Sequence, residues 1–476
     1  MQRFEVLTSL QIEDIHSATL DVLSKTGVRF DEPRALTYLE SAGADVDQKR
    51  RVVLLSESLV QEGLRKVPKR FTWHARDPKH NLIVGEQERT YAIPGYGASY
   101  VIDLEGVRRP GTYKDLANLT RLADGLPYVD AAGGLLIEPS DKAPSTVYRR
   151  VFLTMVQNTT KCLMGYTLGR DVALDSIKMA SILAGGEEQL SKAPSILGLI
   201  NNKSPLEYDR KMSEAVIEYS ERRLPLVFTP GPIAGATSPV TLAATLVQQN
   251  AEALSGIVLS QLIRPGTPNV YGSASSIMDM RTGTLSVASP ESILLTLAGT
   301  QMAKHYGLPS RASCTLSDAK VPDAQAGYEK AMASVLSSLV GLNMSTWVGL
   351  LESLLATSPA QMVIDNEIWG MIRRIHRRFD VTPDTLALSV IAEGSKGTGF
   401  LGHQHTLKFH GREQSFPTLS DRNTHGAWKA KGERSTMQRA AEEAEKIMKA
   451  HEPEPLDRDI LSQLVGVAGS TEEVSE

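Results

Sequence analysis

Cysteine and aromatic residues are scarce in this chain of 476 residues. The two cysteines, Cys162 and Cys314, exclude a disulfide framework and lack the spacing of a zinc site. They favour a reducing compartment, so we expect a cytoplasmic protein. Aromatic residues make up 5% of the chain and only four are tryptophan, so the position of each tryptophan is informative.

Long apolar runs and clusters of positive charge are also missing from the sequence. No run approaches the roughly 18 residues of a membrane span, and the acidic, amphipathic N-terminus does not resemble a secretory signal. The net charge is −4 with acidic and basic residues interleaved, so we expect neither a membrane nor a nucleic acid as partner. The absence of G-x-G-x-x-G and of a P-loop argues against a nucleotide-binding open sheet.

A regular alternation of apolar runs and helical segments begins near residue 129. The repeat is about thirty to forty residues, which is typical of strand–helix units. Eight units predict an α/β protein with a (β/α)8 TIM barrel, and a doubly wound open sheet is the alternative. The candidate strands are DAAGGLLIEP, KCLMGYT, SILGLIN, LPLVFTPG, PNVYGSAS, PSRASCT, LNMSTWV and LALSVIAEG.

The chain divides into three predicted parts. Residues 1–125 form an N-terminal α+β extension, in which Thr8 and Gln11 have the spacing of a helix capping box. Residues 126–430 form the barrel. Residues 431–476 form a C-terminal helix and a disordered tail.

The active site of such a barrel lies at the C-terminal ends of its strands. Residues that follow the predicted strands are therefore the first candidates for binding or catalysis. They are Tyr166, Asn201, Asn202, Thr229, Tyr271, Ser273, Asp318, Trp347 and Glu352.

Trp347 lies in the segment NMSTWVGLLES, beside polar residues that a simple core strand would not need. Strand alternation places Asn343, Ser345 and Trp347 on one face, and we expect this face to point into the barrel. A tryptophan there forms a pocket wall or fills the top of the barrel, and both interpretations stay open.

Two other segments hold candidate binding residues. The glycines of GYGASY permit either a tight loop that presents Tyr96 and Tyr100 or an ordinary hairpin turn. His403 and His405 in GHQHTLKFH would share one side of a strand, as metal ligands can. We expect hydrogen bonding at the barrel opening and assign no metal site. A metal-dependent barrel hydrolase is the alternative.

Six segments in fixed order carry a family resemblance across about residues 90–430. They are PLVFTPGPIAGATSPVTLA, NVYGSASSIMDMRTG, SDAKVPDAQAGYEKA, GLLES, MVIDNEI and LGHQHT. In this order they resemble the trimethylamine methyltransferase family of corrinoid-dependent enzymes. The founding methanogen enzymes carry pyrrolysine in the segment that resembles NMSTWVGLLES, whereas this chain has ordinary residues there. It therefore resembles the non-pyrrolysine branch, whose known members include glycine betaine demethylating enzymes.

The resemblance implies a methyltransferase that moves a methyl group from an amine to Co(I). The corrinoid belongs to a separate partner protein that docks over the barrel opening, so this chain would bind no cofactor tightly. A homo-oligomer is also implied. A quaternary amine already has a neutral amine as leaving group and needs no general acid, so we expect glycine betaine as the donor. Trimethylamine, another betaine and carnitine stay open, as does a non-catalytic amine-binding subunit.

The resemblance to this family implies roles for the candidate residues. Trp347 would hold the cation by cation–π attraction, with Tyr96, Tyr100 and Tyr271 as further walls. Donors to a betaine carboxylate and residues that act as counter-charge in catalysis complete the predicted site. The donors are Asn201, His403 and His405, and the counter-charges are Glu352 and Asp318.

Overall fold

The computed structural model of the protein describes residues 4–86, 89–141 and 147–469, with all of their side chains except those of Lys396 and Thr398. Its strands are β1 Val28–Phe30, β2 Asp45–Asp47, β3 Val52–Leu54, β4 Phe71–Trp73, β5 Leu82–Val84, β6 Tyr91–Pro94, β7 Tyr100–Ile102, β8 Arg108–Pro110, β9 Leu163–Gly165, β10 Ile196–Ile200, β11 Glu207–Tyr208, β12 Leu226–Phe228, β13 Ile233–Ala234, β14 Asn269–Ser273, β15 Ser276–Asp279, β16 Thr284–Ser286, β17 Ser310–Ser313, β18 Met344–Val348, β19 Leu350–Leu351 and β20 Ala356–Thr357.

The helices alternate with these strands along most of the chain. They are α1 Ser9–Asp21, α2 Pro33–Ser41, α3 Glu57–Lys66, α4 Tyr113–Gly125, α5 Val147–Gln157, α6 Arg170–Ala184, α7 Glu187–Lys192, α8 Arg210–Glu221, α9 Leu242–Ile263, α10 Pro290–His305, α11 Ala324–Val340, α12 Pro359–Arg377, α13 Pro383–Leu386, α14 Leu388–Glu393, α15 Gln404–Glu413, α16 His425–Ala430, α17 Thr436–Ala450 and α18 Arg458–Ala468. Thr8 caps α1 together with Gln11, which confirms the predicted capping box.

A parallel β-barrel forms the centre of the molecule. Seven strands pair in the order β6-β18-β17-β14-β12-β10-β9. The segment 130–133 joins the two edges of this sheet, because Asp130 N donates to Ala92 O at 2.8 Å and Met164 N donates to Gly133 O at 2.8 Å. The ring of eight extended segments confirms the predicted (β/α)8 barrel.

The chain enters and leaves the barrel earlier than the sequence indicated. The first barrel strand is β6, which lies inside the predicted N-terminal extension 1–125. The predicted last strand LALSVIAEG is wrong, since Leu388–Glu393 is helix α14 and Leu388 is 74% exposed. A short apolar run does not distinguish a buried strand from an exposed helix. β18, which carries Trp347, is therefore the last barrel strand, while the proposed domain division itself stays a prediction.

The N-terminal end of the barrel is closed by the hairpin of β4 and β5. Trp73 is fully buried there with Leu82 and Val84 against the apolar barrel interior. Its Nε1–H donates to Ser195 O at the start of β10, at 3.3 Å. Access to the interior is therefore from the opposite end, where the strands finish. We call that end the mouth.

The terminal regions cover the outer helices of the barrel. α1 and α3 pack on α9, which is buried around most of its surface although it lies outside the barrel. α17 packs along α12 through Ala440 and Ala444, so the predicted C-terminal helix is present and has one buried face. The predicted disorder of the tail falls almost entirely on 470–476, outside the described residues. In the part of the chain that is described, no helix is long and apolar enough to cross a membrane.

Candidate active site

Trp347 reaches the barrel interior, but by a different route from the one the sequence predicts. Met344 and Thr346 are the residues of β18 that face inward and line a cavity. Ser345 faces the outer helices, and its Oγ lies 3.2 Å from the Oγ1 of Thr315. The prediction that Ser345 faces inward is therefore wrong, whereas Trp347 does line the cavity. Alternation holds from Met344 to Thr346 and breaks before Trp347.

A backbone irregularity turns Trp347 inward. Its φ is +88°, and the pairing register with β6 shifts between Thr346 and Val348. This is a β-bulge with a strained conformation for a residue other than glycine. The bulge places Trp347 on the same side as Thr346, against the cavity. Strain of this kind concentrates at functional sites, which supports the tryptophan as a site residue.

Contacts on both sides of Trp347 hold it in this position. Its Nε1–H donates to Ser313 Oγ at 2.6 Å. Two residues later, Gly349 N donates to Asp365 Oδ2 at 2.7 Å. Asp365 also pairs with Lys330 at 2.8 Å, and both side chains are fully buried. Burial lowers the pKa of Lys330 and raises that of Asp365, so each charge depends on its partner.

The cavity that Trp347 borders is small and mainly apolar. Its volume is about 10 Å³, enough for about one water molecule. Tyr96 and Trp347 come together at this cavity, as the sequence predicts. It is lined by Pro94, Tyr96, Met164, Leu199, Val227, Arg311, Met344, Thr346 and Trp347.

Arg311 is the charged residue of the cavity, and it was not among the residues selected from the sequence. It lies on β17, is 3% exposed, and its Cζ is 5.4 Å from the centre of the Trp347 ring. Its Nη1 donates to Thr229 Oγ1 at 2.8 Å, to Ser313 Oγ at 3.2 Å and to Ser273 O at 3.3 Å. All these acceptors are neutral. The signal in the sequence is an arginine within the candidate strand PSRASCT.

The buried charge of Arg311 has no carboxylate partner among the described residues. Its Nε is buried without a hydrogen-bond acceptor. Burial lowers the pKa of Arg311 to about 10, and the group remains positive at neutral pH. A guanidinium with a free N–H donor is well suited to bind a carboxylate. Burying its positive charge without an anion costs free energy.

Asp318 and Glu352 lie at the rim of the mouth with their carboxylates already engaged. Asp318 accepts hydrogen bonds from Ser286 Oγ and Ser353 Oγ, both at 2.7 Å. Glu352 binds Arg108 through two hydrogen bonds of 2.8 and 3.0 Å. Both carboxylates therefore tie rim segments together, and neither residue lines the cavity.

Three other predicted residues also lie away from the cavity. Tyr271 is buried on the outer side of β14, where its hydroxyl accepts a hydrogen bond from Gln249 at 3.2 Å. Tyr100 lies beneath the Arg108 guanidinium, whose Cζ is 3.4 Å from the ring centre. Asn201 follows β10 but is exposed. These positions correct the expectation that the three residues form walls or carboxylate donors at the cavity.

His403 and His405 are at the start of helix α15 and not on a strand. His403 caps this helix by accepting from His405 N, and its Nε2 lies 3.3 Å from Glu393. His405 Nε2 lies 3.3 Å from Asp384 O. Their hydrogen bonds thus stay within their own segment, which corrects the expected placement at the mouth. No group of three or more potential metal-ligating side chains occurs among the residues whose positions are described.

Comparison with known proteins decides the family. The family model described as trimethylamine methyltransferase (MTTB) matches residues 1–468. The chain belongs to the trimethylamine methyltransferase family. The resemblance carried by the six sequence segments is therefore confirmed.

Relatives of the trimethylamine methyltransferase family align over nearly the whole chain. A protein named glycine betaine methyltransferase, from Desulfitobacterium hafniense (strain Y51), is 37% identical, with 100% of this chain and 99% of the relative covered. Trimethylamine methyltransferase MttB from Methanosarcina barkeri (strain Fusaro / DSM 804) is 33% identical, with coverage of 97% and 94%.

A solved structure supports the fold assigned to this trimethylamine methyltransferase family member. The monomethylamine methyltransferase (MtmB) of Methanosarcina barkeri superimposes with a TM-score of 0.54 at 11% sequence identity. The superposition covers 94% of this chain and 88% of the solved chain. At this identity the likeness concerns the fold alone.

Proposed function

We propose that this chain transfers a methyl group from a quaternary amine, glycine betaine, to Co(I) in the corrinoid of a partner protein. The name of the full-length relative that is 37% identical supports this substrate. The observation that carries the proposal is the buried pair of Arg311 and Trp347. Together they offer one site for an anion and one for a cation.

The spacing of the two side chains suits a short zwitterion. Trp347 presents an aromatic face, which attracts a quaternary ammonium by about 0.5–2 kcal/mol depending on desolvation. The Arg311 guanidinium carbon lies over that ring, 5.4 Å from its centre, so the ligand ammonium takes the part of the ring that Arg311 leaves open. The carboxylate of glycine betaine is one carbon from its ammonium, so the ligand can contact both residues at once.

Arg311 also disfavours amines that lack a carboxylate. Trimethylammonium and choline are cations, and either would bring a second positive charge beside an arginine with no carboxylate partner. In a buried site such repulsion is only weakly screened. The same residue that attracts a betaine therefore argues against trimethylamine as the donor.

The composition of the cavity fits the chemistry of a quaternary donor. None of the described lining residues is Asp, Glu or His, and burial raises the pKa of Tyr96 above its usual range. The site thus holds no evident acid to protonate a leaving amine. None is needed, because the N–CH3 bond breaks with its electron pair on nitrogen. The methyl group goes to cobalt, and the leaving group is dimethylglycinate, whose amine is neutral and whose carboxylate is retained.

The methyl acceptor, Co(I) in the corrinoid of the partner protein, supplies the nucleophile. The task of this chain is to orient the donor and to exclude water. Placing reactants in line contributes about 7–11 kcal/mol to lowering a bimolecular barrier. Arg311 fixes the carboxylate end and Trp347 the ammonium end, so one methyl group points toward the mouth, where we place the partner protein.

Substrate binding requires the cavity to enlarge. The present volume of about 10 Å³ admits one water molecule and not a betaine. Tyr96 is half-buried on the loop that follows β6, between Gly95 and Gly97. We expect movement of this tyrosine to admit the substrate, and its return to exclude water from the reacting methyl group.

A substrate panel tests the proposed function. The purified chain is mixed with its Co(I) corrinoid protein and with glycine betaine, choline or trimethylamine, and methyl-cobalt formation is followed by absorbance. We expect transfer from glycine betaine alone. Transfer from trimethylamine or choline with no activity on glycine betaine would contradict the proposal.

The matched variants are Arg311→Met and Arg281→Met. Arg281 is an exposed arginine whose ion pair lies within its own surface turn. Loss of a hydrogen bond to a charged group costs about 1.5–3 kcal/mol, so Arg311→Met should lower kcat/KM for glycine betaine about 10- to 150-fold. Arg281→Met should leave it unchanged. Equal kcat/KM values for the two variants would show that Arg311 does not bind the substrate.

A further inference from the structure

The segment 379–416, which we call the arm, exposes an unusual amount of apolar surface. It contains nine large apolar side chains that are between 47% and 96% exposed. None of its described side chains is buried. The nine residues are Phe379, Val381, Leu386, Leu388, Ile391, Phe400, Leu401, Leu407 and Phe416.

The arm cannot be stable with all of this surface in water. Its longest helix, α15, has 10 residues, and isolated helices shorter than about 12–15 residues are marginal in water. The arm has no core of its own, so packing must come from another surface. An exposed apolar patch of this size marks an interaction site.

The arm is anchored at the end of the molecule opposite the mouth. Its last residues attach to the final turn of α12, where Arg374 donates to Glu413 O. The neighbouring Arg373 donates to Thr90 O at the start of the first barrel strand. α12 begins beside the mouth and has 19 residues, so the anchor is about 28 Å from the mouth. The arm is therefore remote from the cavity and from a partner docked over it.

We propose that the arm is the interface with a second copy of this chain. The exposed apolar side chains present on the order of 1,000 Å², compared with about 800 Å² that each partner buries in a standard interface. The arm carries four acidic and three basic residues, so two arms can meet without strong repulsion. A two-fold axis lets the same surface cover itself, which closes the assembly.

The remote position of the arm also favours a second copy over the corrinoid protein. That protein must bring its cobalt to the cavity at the mouth, and an interface about 28 Å away along α12 does not position it. This step rests on the proposed function. The experiment below measures mass and not activity, so the two proposals fail independently.

The test compares the mass of the wild-type chain and of arm variants by analytical ultracentrifugation in the micromolar range. The variant is Leu388→Glu/Leu401→Glu, and Leu401 is 96% exposed in the single chain. The matched control is Leu10→Glu, since Leu10 is 72% exposed on α1, outside the arm. We expect an oligomer for the wild type and for the control, and a monomer with unchanged barrel circular dichroism for the double variant.

Hydrogen–deuterium exchange gives a second readout for the same variants. The amides of α15 should be protected in the wild-type oligomer and exchange rapidly in the monomeric variant. A monomeric wild type overturns the proposal. So does an unchanged mass of the double variant.

Discussion

Trp347 and Arg311 share the cavity, although only Trp347 is predicted as a site residue from the sequence. Trp347 was selected because a tryptophan among polar residues was unexpected, and the structure places it at the cavity wall. Arg311 lies within a candidate strand and not after it, so a search at the strand ends misses it. Strand alternation could not have identified the inward face of β18, since a bulge reverses the side of Trp347. The backbone strain that aims this tryptophan is not visible in the sequence.

Replacing Trp347 should weaken binding of the methyl donor without unfolding the protein. Loss of a cation–π contact of about 0.5–2 kcal/mol predicts a KM for glycine betaine about 2- to 30-fold higher in Trp347→Leu. Steady-state transfer kinetics measure this change, with Trp428→Leu on α16 as the control. An unchanged KM and an unchanged kcat in Trp347→Leu would show that the ring only fills the barrel top.

Replacing Arg311 by lysine should create a pH dependence. Burial disfavours the charged form of lysine, so the pKa of the new amine falls toward neutrality. Glycine betaine affinity should then decrease as pH rises from about 7 to 9, because the neutral amine no longer attracts the carboxylate. The wild type should be flat over this range, as arginine stays charged. Parallel pH profiles for both proteins would contradict this role.

At the scale of secondary-structure elements, the sequence predicts the repeat of strands and helices better than it predicts where the barrel begins and ends. Long buried strands such as β10 and β14 are recognisable as apolar runs, and their helices follow at the expected spacing. β6 was misassigned because it is short and lies among other short strands of the N-terminal region. The segment LALSVIAEG was misassigned because apolar residues of the arm resemble those of a core strand.

The position of β18 depends on α11 and α12 through a buried ion pair. Lys330→Met leaves the Asp365 carboxylate without its cation, and breaking such a pair costs about 3–5 kcal/mol. We expect the free energy of unfolding, measured in urea, to fall by this amount. Lys192→Met, on α7, is the comparison variant and should change it little, because its ion pair with Glu188 is exposed.

The pH dependence of Lys330→Met follows from the same contact. The pKa of Asp365 is already raised by burial, and removal of Lys330 raises it further. The folded variant then holds its proton at pH values where the unfolded chain releases it, so stability decreases as pH rises above the usual range of an aspartate. The deficit relative to wild type should therefore be larger at pH 8 than at about pH 5. A deficit that does not vary with pH would show that Asp365 is not titrating.

At the scale of the whole molecule, the two ends of the barrel have different structures and roles. The hairpin of β4 and β5 seals one end, and the other end carries the cavity. The apolar pattern of the strands is therefore enough to predict a barrel, but it does not show which end of the barrel is open. The arm, remote from the mouth, adds a third surface whose purpose lies outside the single chain.

The separation of the two ends predicts that stability and activity respond independently. Trp73→Ala should reduce the free energy of unfolding by about 3–5 kcal/mol, because it opens a cavity in the sealed end. The KM for glycine betaine, measured well below the unfolding temperature, should stay unchanged. A large change in KM would mean that the hairpin and the mouth are coupled through the barrel.

The central claim is that Arg311 makes the site selective for a zwitterion. Calorimetric titration of the wild type and of Arg311→Met with glycine betaine and with choline tests it without any methyl transfer. We predict that the wild type binds glycine betaine and not choline. Arg311→Met should bind glycine betaine about 10- to 150-fold more weakly and choline more tightly than the wild type does. Equal affinity of both proteins for glycine betaine, with no change for choline, would contradict the account.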